Sequence, residues 1–186
     1  MTSTHHVIMV IRHGEKPPKD GGAPHGVTRE GKHDPQALIP FGWGRAGALV
    51  GLFAPLVGSP RSPLARPRAV YAAHPSDGDH LRESETVSLV AEQLGVELQM
   101  PCAVGQESEV AALIRKEEGP VLVAWEHKRI PHLVRAIGST APAVPNHWPE
   151  DRFDMVYLLE SVSPGKYAFT QVPELVLPGD SPDPIT

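Results

Sequence analysis

The sequence predicts an α/β protein with a mostly parallel central sheet that is covered by helices on both faces, in a three-layer α/β/α sandwich. Three continuous apolar runs, at positions 7–11, 69–73 and 121–125, are typical of strands buried on both faces, and the first is rich in β-branched residues. A segment with helical spacing of apolar residues follows each of them. Strands that alternate with helices in this way form parallel sheets.

The remaining elements follow from periodicity and from turn residues. In order, we predict a strand at 7–11, helix 44–57, strand 69–73, helix 81–94, strand 96–98, helix 108–117, strand 121–125, helix 131–137, and strands 155–159 and 167–172. Asp79 is the predicted N-cap of the helix at 81–94, and Gly95 ends it. The segment 16–40 has no period, and loops of that length are usually functional or mobile.

Length and composition predict one soluble domain. With 186 residues the chain is long enough for a single domain with a sizeable core. We expect that domain to span residues 1–186, with its core at about 5–172 and a Pro-rich tail at 173–186 that wraps the surface.

Several function classes are disfavoured by charge and composition. A formal net charge of −5 argues against a nucleic-acid-binding protein. The single cysteine, Cys102, excludes an internal disulfide framework and a cysteine-based zinc site. No apolar run approaches the roughly 18 residues of a membrane span. We therefore expect a cytoplasmic protein without a membrane or nucleic-acid partner.

Polar side chains follow three of the predicted strands. Arg12-His13-Gly14-Glu15 comes after the first, residues 74–80 lead from the second into the helix that bears Arg82, and Glu126-His127 follows the third. Ligands of parallel sheets bind at the carboxyl ends of the strands. Two arginines, two histidines and a helix N-terminus at one edge predict a phosphate site, because a guanidinium group holds two phosphate oxygens at once.

The chain resembles the histidine phosphatase, or phosphoglycerate mutase-like, superfamily. The resemblance rests on Arg12-His13-Gly14-Glu15 directly after the first strand. It is supported by the stretch GWGRAGAL at 42–49, by Arg82-x-x-x-Thr86 at the start of the second helix, and by a strand that ends at His127. These features keep their order from residue 7 to about residue 137.

Three positions depart from the pattern of the superfamily. Lys16 stands where threonine is usual, and His74-Pro75 with a longer loop replaces a short Ser-Pro link before the second arginine. Lys128 stands where a small residue commonly follows the last histidine. His74 and Lys128 are therefore candidate substrate contacts, and Lys128 could add a third cation to the pocket.

The resemblance implies a phosphoglycerate mutase-like fold and a phosphatase that needs neither a metal nor a cofactor. His13, in a turn that Gly14 keeps open, would attack phosphorus and carry the phosphoryl group transiently. Arg12 and Arg82 would hold the non-bridging oxygens, and His127 would complete the pocket. Water would then cleave the phosphohistidine.

The general acid that protonates the leaving oxygen stays open at this point. Glu107 is the favoured candidate, because it and Glu109 lie in the region where one-domain members of the superfamily carry their acid. Glu15 is more often structural in the resembled family. Glu126 adjoins His127, but if the strand persists to residue 127, alternation turns Glu126 to the opposite face. An enzyme without an acid, acting on a good leaving group, is a further alternative.

Three functions are compatible with the sequence. We expect hydrolysis of a phosphomonoester or related phosphoryl compound, on a small molecule or a phosphoprotein. The alternatives are a protein that binds a phosphate ligand without turnover and, less favoured, a phosphomutase, which usually needs more capping sequence than this chain has. Specificity is predicted to lie in the segments 16–40, 74–80 and 140–151. The sequence does not indicate the oligomeric state.

Overall fold

A computed structural model describes residues 6–76 and 79–186, and within them the predicted mixed α/β fold is confirmed. Residue 5 of the predicted core and residues 77–78 of the predicted specificity segment lie outside the described residues. The strands are β1 (Val7–Arg12), β2 (Ala69–Ala72), β3 (Leu98–Gln99), β4 (Val121–Trp125), β5 (Ser139–Ala141), β6 (Met155–Ser163) and β7 (Lys166–Pro173). The helices are α1 (Pro40–Phe53), α2 (Leu81–Leu94), α3 (Glu107–Ile114) and α4 (Ile130–Ile137).

The strands form one sheet in the order β3-β2-β4-β1-β6-β7-β5. The pairs β3–β2, β2–β4, β4–β1 and β5–β7 are parallel, whereas β6 is antiparallel to both β1 and β7. Because β1, β2 and β4 are parallel neighbours, their carboxyl ends lie at the same edge of the sheet. The residues that follow these three strands are thereby placed together.

Helices cover both faces of the sheet. Alternate residues of β1 point to opposite faces, with Ile8 and Val10 on one and Met9 and Ile11 on the other. The first face packs against α3 and α4, and the second against α1 and α2. The sheet is buried on both sides, which is why its central strands are continuous apolar runs.

Some element boundaries differ from the predicted ones. Helix α1 begins at Pro40 and not at residue 44, because a proline at the first helical position needs no amide partner there. The N-cap of α2 is His80, in a left-handed conformation with φ of 66°. The predicted N-cap, Asp79, forms an isolated bridge with Ser76 instead. The edge strand β5 was not predicted. It has only three residues and none of them is buried, so it carries no hydrophobic pattern.

The C-terminal tail after β7 packs back onto the sheet and the helices. The amide of Ile185 donates to Gln171 Oε1 at 2.7 Å, and the Ile185 side chain is buried. Asp180 forms an ion pair with Arg45 of α1 at 2.7 Å. Within residues 6–76 and 79–186, no helix has the length and apolar character that crossing a membrane requires.

Candidate active site

Two of the predicted site histidines meet at the carboxyl edge of the central strands. β1 and β4 end side by side, with Arg12 opposite Trp125, so the residues that follow them start from the same level. The rings of His13 and His127 lie 6.3 Å apart in an edge-to-face arrangement. Each of the two residues is only 3% exposed. The two histidines are therefore buried together at this edge of the sheet, and we call them and the side chains around them the catalytic pocket.

The protonation state of His13 is set by its neighbours. Its Nδ1 lies 2.7 Å from the carbonyl oxygen of Gly14, and because a carbonyl only accepts, Nδ1 carries the proton. Burial lowers the pKa of His13 to about 4; the carboxylate of Glu83 opposes this shift, and the charge of Arg12 adds to it. At neutral pH the ring is uncharged, and its Nε2 has a free lone pair.

Close packing against α1 and α2 fixes the turn that presents His13. The amide of Gly14 donates to Thr86 Oγ1 at 2.7 Å, and that hydroxyl donates to the carbonyl of Arg82 at 2.6 Å. A Cβ atom on Gly42 would lie 2.5 Å from the carbonyl oxygen of Glu15, so only glycine allows this approach of α1. The two helices that carried the sequence resemblance thus hold the turn.

Arg12 presents one edge of its guanidinium to the pocket without a protein partner. Its Nη1 lies 3.1, 2.7 and 2.8 Å from the carbonyl oxygens of Pro149, Glu150 and Arg152, and its plane lies over the ring of Phe153 at 3.8 Å. Nε and Nη2 are buried and have no hydrogen-bond partner among the described residues. Burial lowers the pKa of Arg12 to about 10, so the group is charged at neutral pH. Nε and Nη2 form the fork that suits two oxygens of an anion.

Arg82 joins the same cluster of positive charge in spite of the long loop before it. It is half-buried, and its Nη1 donates to the carbonyl of Pro35 at 3.3 Å. Its charge contributes to the lowered pKa of His13. Burial, together with the charges of Arg12 and Arg82, also lowers the pKa of Lys16. Three cations therefore act on one another around the pocket.

His127 faces the pocket, whereas Lys128 lies at its rim. The Nε2 of His127 is buried and has no hydrogen-bond partner in the part of the chain described. Its Nδ1 lies 2.9 Å from Glu126 Oε1, although the two are not aligned for a hydrogen bond. β4 ends at Trp125, so the alternation argument does not apply to Glu126, which turns towards His127. Lys128 is exposed. The pKa of Glu150 is lowered mainly by its hydrogen bond to Lys19 and the charge of Lys19, and to a smaller extent by the charges of Lys128 and Lys16.

The contacts of the other predicted acids do not favour them as proton donors. Glu107 accepts from Arg129 Nη2 at 2.5 Å, from the Trp125 indole at 3.1 Å and from the Gly105 amide at 2.9 Å. Burial would raise its pKa, but these bonds, led by that from Arg129, lower it to about 2 and keep the group ionised. Glu15 is bound by Arg45 at 2.7 Å, and Glu109 is exposed.

A carboxylate that the sequence analysis did not single out, Glu83, lies in the pocket. It is 1% exposed, its Oε1 lies 3.4 Å from His80 Nδ1, and its Oε2 has no partner among the described residues. Burial would raise its pKa, but the bond to His80 opposes burial and the pKa is lowered. The only sequence signal for Glu83 as a site residue was its position directly after Arg82. Glutamates are common in a first helical turn because negative charge there interacts favourably with the helix dipole.

Two further observations complete the site. His74 is exposed after β2, where its amide donates to the carbonyl of Cys102 at 2.8 Å, and no contact of its ring with the pocket is recorded within the described residues. Over residues 6–76 and 79–186, no group of three or more histidine, cysteine or acidic side chains could hold a metal ion. The cations around the pocket are arginine and lysine side chains, a set that suits an anion.

Known proteins with a similar structure support the fold of this chain, whereas comparison by sequence finds none. No protein-family model matches the chain, and no curated protein is similar to it in sequence. The protein histidine phosphatase SixA in complex with tungstate has a similar structure, with a TM-score of 0.56 and 16% identity over 90% of this chain and 97% of that chain. Mycobacterial hydrolase 1 gives a TM-score of 0.54 and 12% identity over 90% and 96% of the two chains.

A phosphoglycerate mutase of Plasmodium falciparum also has a similar structure, with a TM-score of 0.53 and 13% identity over 98% of this chain and 100% of that chain. These three proteins match nearly the whole described architecture, including the sheet that carries the pocket. These similarities show the fold, as the sequence resemblance implied: the chain has the phosphoglycerate mutase-like fold.

Proposed function

We propose that the protein is a phosphatase that hydrolyses a phosphomonoester or related phosphoryl compound through a phosphohistidine on His13. The observation that carries the proposal is the pairing of an uncharged His13 ring with an arginine that lies over the same phenyl ring, Phe153, and whose Nε and Nη2 have no partner among the described residues. A buried anion-binding fork next to a nucleophilic nitrogen suits transfer of a phosphoryl group. The arginines supply the positive charge, so the scheme needs no metal.

In the first step Nε2 of His13 attacks phosphorus, and the bond from phosphorus to the leaving oxygen breaks. Arg12 and Arg82 hold the non-bridging oxygens, and His127 Nε2 donates to one of them when it is protonated. The leaving oxygen takes a proton from the carboxyl group of Glu83. In the second step water attacks the phosphohistidine and returns a proton to Glu83, so that phosphate leaves and His13 is restored.

Glu83 is proposed as the proton carrier in place of Glu107. Glu83 is ionised in the free protein, but a doubly charged phosphoryl group beside it raises its pKa by repulsion between like charges. The carboxyl group then takes up a proton together with the substrate. His80 is half-buried and bonded to Glu83, so it connects the carboxyl group to solvent.

The proposal is tested by replacing His13 with alanine. We expect turnover of phenyl phosphate to fall by about a thousandfold or more, as is usual when a covalent nucleophile is removed. In the wild type, rapid quenching should trap an acid-labile phosphoryl group on His13 that mass spectrometry locates. His132→Ala removes an exposed histidine of α4 and serves as the control.

Each other outcome contradicts the proposal in a distinct way. Phosphate binding without any phosphohistidine would identify a binding protein that lacks turnover. Exchange of the phosphoryl group between hydroxyls, with no release of phosphate to water, would identify a mutase. Unchanged turnover in His13→Ala would remove the nucleophile from the mechanism.

A further inference from the structure

A second cluster of basic side chains lines a cavity next to the catalytic pocket. The cavity has a volume of about 320 Å³, and Lys16, Lys19, His25, His33, Gln36 and Arg82 contribute its polar side chains. We call it the basic cavity. Five of these six side chains are basic, and among residues 6–76 and 79–186 no carboxylate lines it. The hydrolysis scheme uses only Arg82 of this set.

The walls of the basic cavity are held by the protein itself. The Asp34 amide donates to the carbonyl oxygen of Gly26 at 3.0 Å, and the Val27 amide donates to the carbonyl oxygen of Leu38 at 2.9 Å. A Cβ atom on Gly26 would lie 2.2 Å from the Asp34 carbonyl oxygen, so the two sides of this loop are in direct contact. The rings of His25 and His33 lie 5.2 Å apart, edge to face. The cavity is therefore shaped before any ligand enters.

Positive charge in the cavity is only partly compensated. Of the nearby carboxylates, Glu150 forms an exposed ion pair with Lys19 at 2.6 Å, while Asp20 and Asp34 accept from the backbone amides of Gly22 and Gln36 at 3.0 and 2.8 Å. No ion pair of Lys16 or Arg82 is found in the described part of the chain. The cavity thus presents cations that an anionic ligand would neutralise.

Arg82 and Lys16 connect the cavity to the catalytic pocket. Both side chains line the cavity, and both belong to segments that adjoin the His13 turn. Lys16 follows His13 by three residues, and the carbonyl of Arg82 accepts from the Thr86 hydroxyl, which accepts from the Gly14 amide. Arg82 Nε is buried and has no partner among the described residues. If the phosphoryl group of a substrate lies at His13, the rest of the molecule can therefore extend along Arg82 into the basic cavity.

We propose that the substrate is a small molecule with a second anionic group, a carboxylate or another phosphate, and that the basic cavity binds this group during phosphoryl transfer at His13. This inference rests on the proposed phosphatase activity. Lys16 and Arg82 neutralise the second anion from the side of the catalytic pocket. His25 and His33 donate to it from the opposite wall.

The test compares three esters that differ in the second group: phenyl phosphate, 3-carboxyphenyl phosphate and 3-carbamoylphenyl phosphate. The carbamoyl ester is a neutral match in shape and has the better leaving group, so a preference for the carboxylate cannot arise from leaving-group acidity. We expect kcat/KM of the wild type to favour the carboxylate over the carboxamide by about tenfold, as one buried charge pair allows.

Two variants and one control locate the effect. In His25→Gln/His33→Gln and in Lys16→Gln, the ratio of kcat/KM for carboxylate over carboxamide should fall towards one. Lys32→Gln removes a positive charge from the same loop but not from the cavity wall, and it should keep the wild-type ratio. Circular dichroism confirms that the variants are folded.

The outcomes separate this inference from the proposed function. Turnover of all three esters with a wild-type ratio near one overturns the second-anion site and leaves the phosphatase in place. A ratio that the cavity variants do not change also overturns it, because the preference would then arise elsewhere. No turnover of any of the esters overturns the phosphatase itself, and the inference with it.

Discussion

Two buried glutamates of the site differ in what surrounds them. Glu107 accepts three hydrogen bonds from an arginine, an indole and an amide, which hold it as a carboxylate. Among the described residues, one oxygen of Glu83 has no partner and the other contacts only His80, so Glu83 is held as a carboxylate by fewer bonds than Glu107. Proton transfer requires a group of the second kind.

This contrast predicts how Glu83→Gln alters catalysis. We expect kcat/KM for alkyl phosphates to fall about a hundredfold or more, since general acids contribute about 10²–10⁴. Aryl phosphates with acidic phenols should be affected much less, because such leaving groups need no proton. The measurement is a plot of log kcat/KM against leaving-group pKa, which should become steeper.

Glu107→Gln is the matched control for that experiment. It makes the same change from carboxylate to amide at a residue bound to Arg129, and it should leave the slope of the plot unchanged. A Glu83→Gln plot parallel to that of the wild type would rule out Glu83 as the proton donor.

At the residue scale, the sequence predicted the groups that lie in the strand-end motifs. Arg12, His13 and His127 are placed by buried strands, and their convergence follows from a parallel sheet. The acceptors of Arg12 come from residues 149–152, more than 130 positions away, in a segment without periodicity. Phe153 lies beside them. No local pattern encodes such contacts, so the sequence could not predict them.

At the scale of elements, burial decided which predictions were correct. The central strands β1, β2 and β4 are buried along almost their whole length, and each produces an apolar run that can be recognised. β3 has two half-buried residues and lies two positions later than predicted, at Leu98–Gln99. The unpredicted β5 is an edge strand. Short, exposed strands depend on their neighbours for pairing, and this pairing leaves no pattern in their own sequence.

The packing of α1 on the His13 turn predicts opposite effects for two glycines of the same helix. Gly42→Ala would place Cβ 2.5 Å from the Glu15 carbonyl oxygen and 3.0 Å from the Glu15 amide. We expect a loss of about 1–3 kcal/mol in the free energy of unfolding, as in overpacked cores. The value of kcat should also fall, because the turn must shift.

Gly47→Ala is the control in that helix. Its added Cβ would have nothing within 4 Å, and alanine has the higher helix propensity. We expect an increase of about 0.5–1 kcal/mol in the free energy of unfolding, with unchanged kcat. Urea unfolding and steady-state kinetics measure both effects. Equal losses at the two positions would contradict the close approach of α1 to Glu15.

At the scale of the whole molecule, one buried arginine joins the catalytic motif to the C-terminal tail. Arg45 of α1 donates hydrogen bonds to the carboxyl groups of Glu15, Glu174 and Asp180, each at 2.7 Å. Three carboxylates around one guanidinium leave an excess of negative charge. Burial raises the pKa of Glu174 to about 8. The charge of Arg45 opposes this shift, and the charges of Asp180 and Glu15 add to it.

The raised pKa predicts a pH dependence of stability. The folded protein keeps a proton on Glu174 that the unfolded chain, with a pKa near 4.5, has released. The resulting contribution to stability is fully present below pH 4.5 and is lost as the pH rises through 8. The slope is at most about 1.4 kcal/mol per pH unit, the value for one proton.

Glu174→Gln tests this prediction, because glutamine resembles the protonated carboxyl group but does not titrate. The free energy of unfolding in urea, measured between about pH 5 and pH 9, should fall less steeply in the variant than in the wild type. The exposed Glu118→Gln serves as the control and should retain the wild-type slope. Identical slopes in all three proteins would exclude a protonated Glu174.

The layered architecture was predictable, whereas the route of the tail was not. Alternating strands and helices dictate a three-layer sandwich whatever the details of the loops. The return of Glu174 and Asp180 to Arg45 depends on the charges of three separate segments. A Pro-rich stretch predicts only an extended surface chain. Its partners are determined by the folded surface that it meets.

The position of β1 in the middle of the sheet has a consequence for hydrogen exchange. β1 is paired along its length on both sides, by β4 and by β6, so its amides are freed only when the whole sheet opens. The loop around His25 and His33 is held by a few bonds and an isolated bridge, and it can open alone. A bound dianion should therefore slow exchange in the loop far more than in β1, because its contacts add to the few bonds that hold the cavity wall, whereas the strand that ends at the nucleophile is already protected by the sheet.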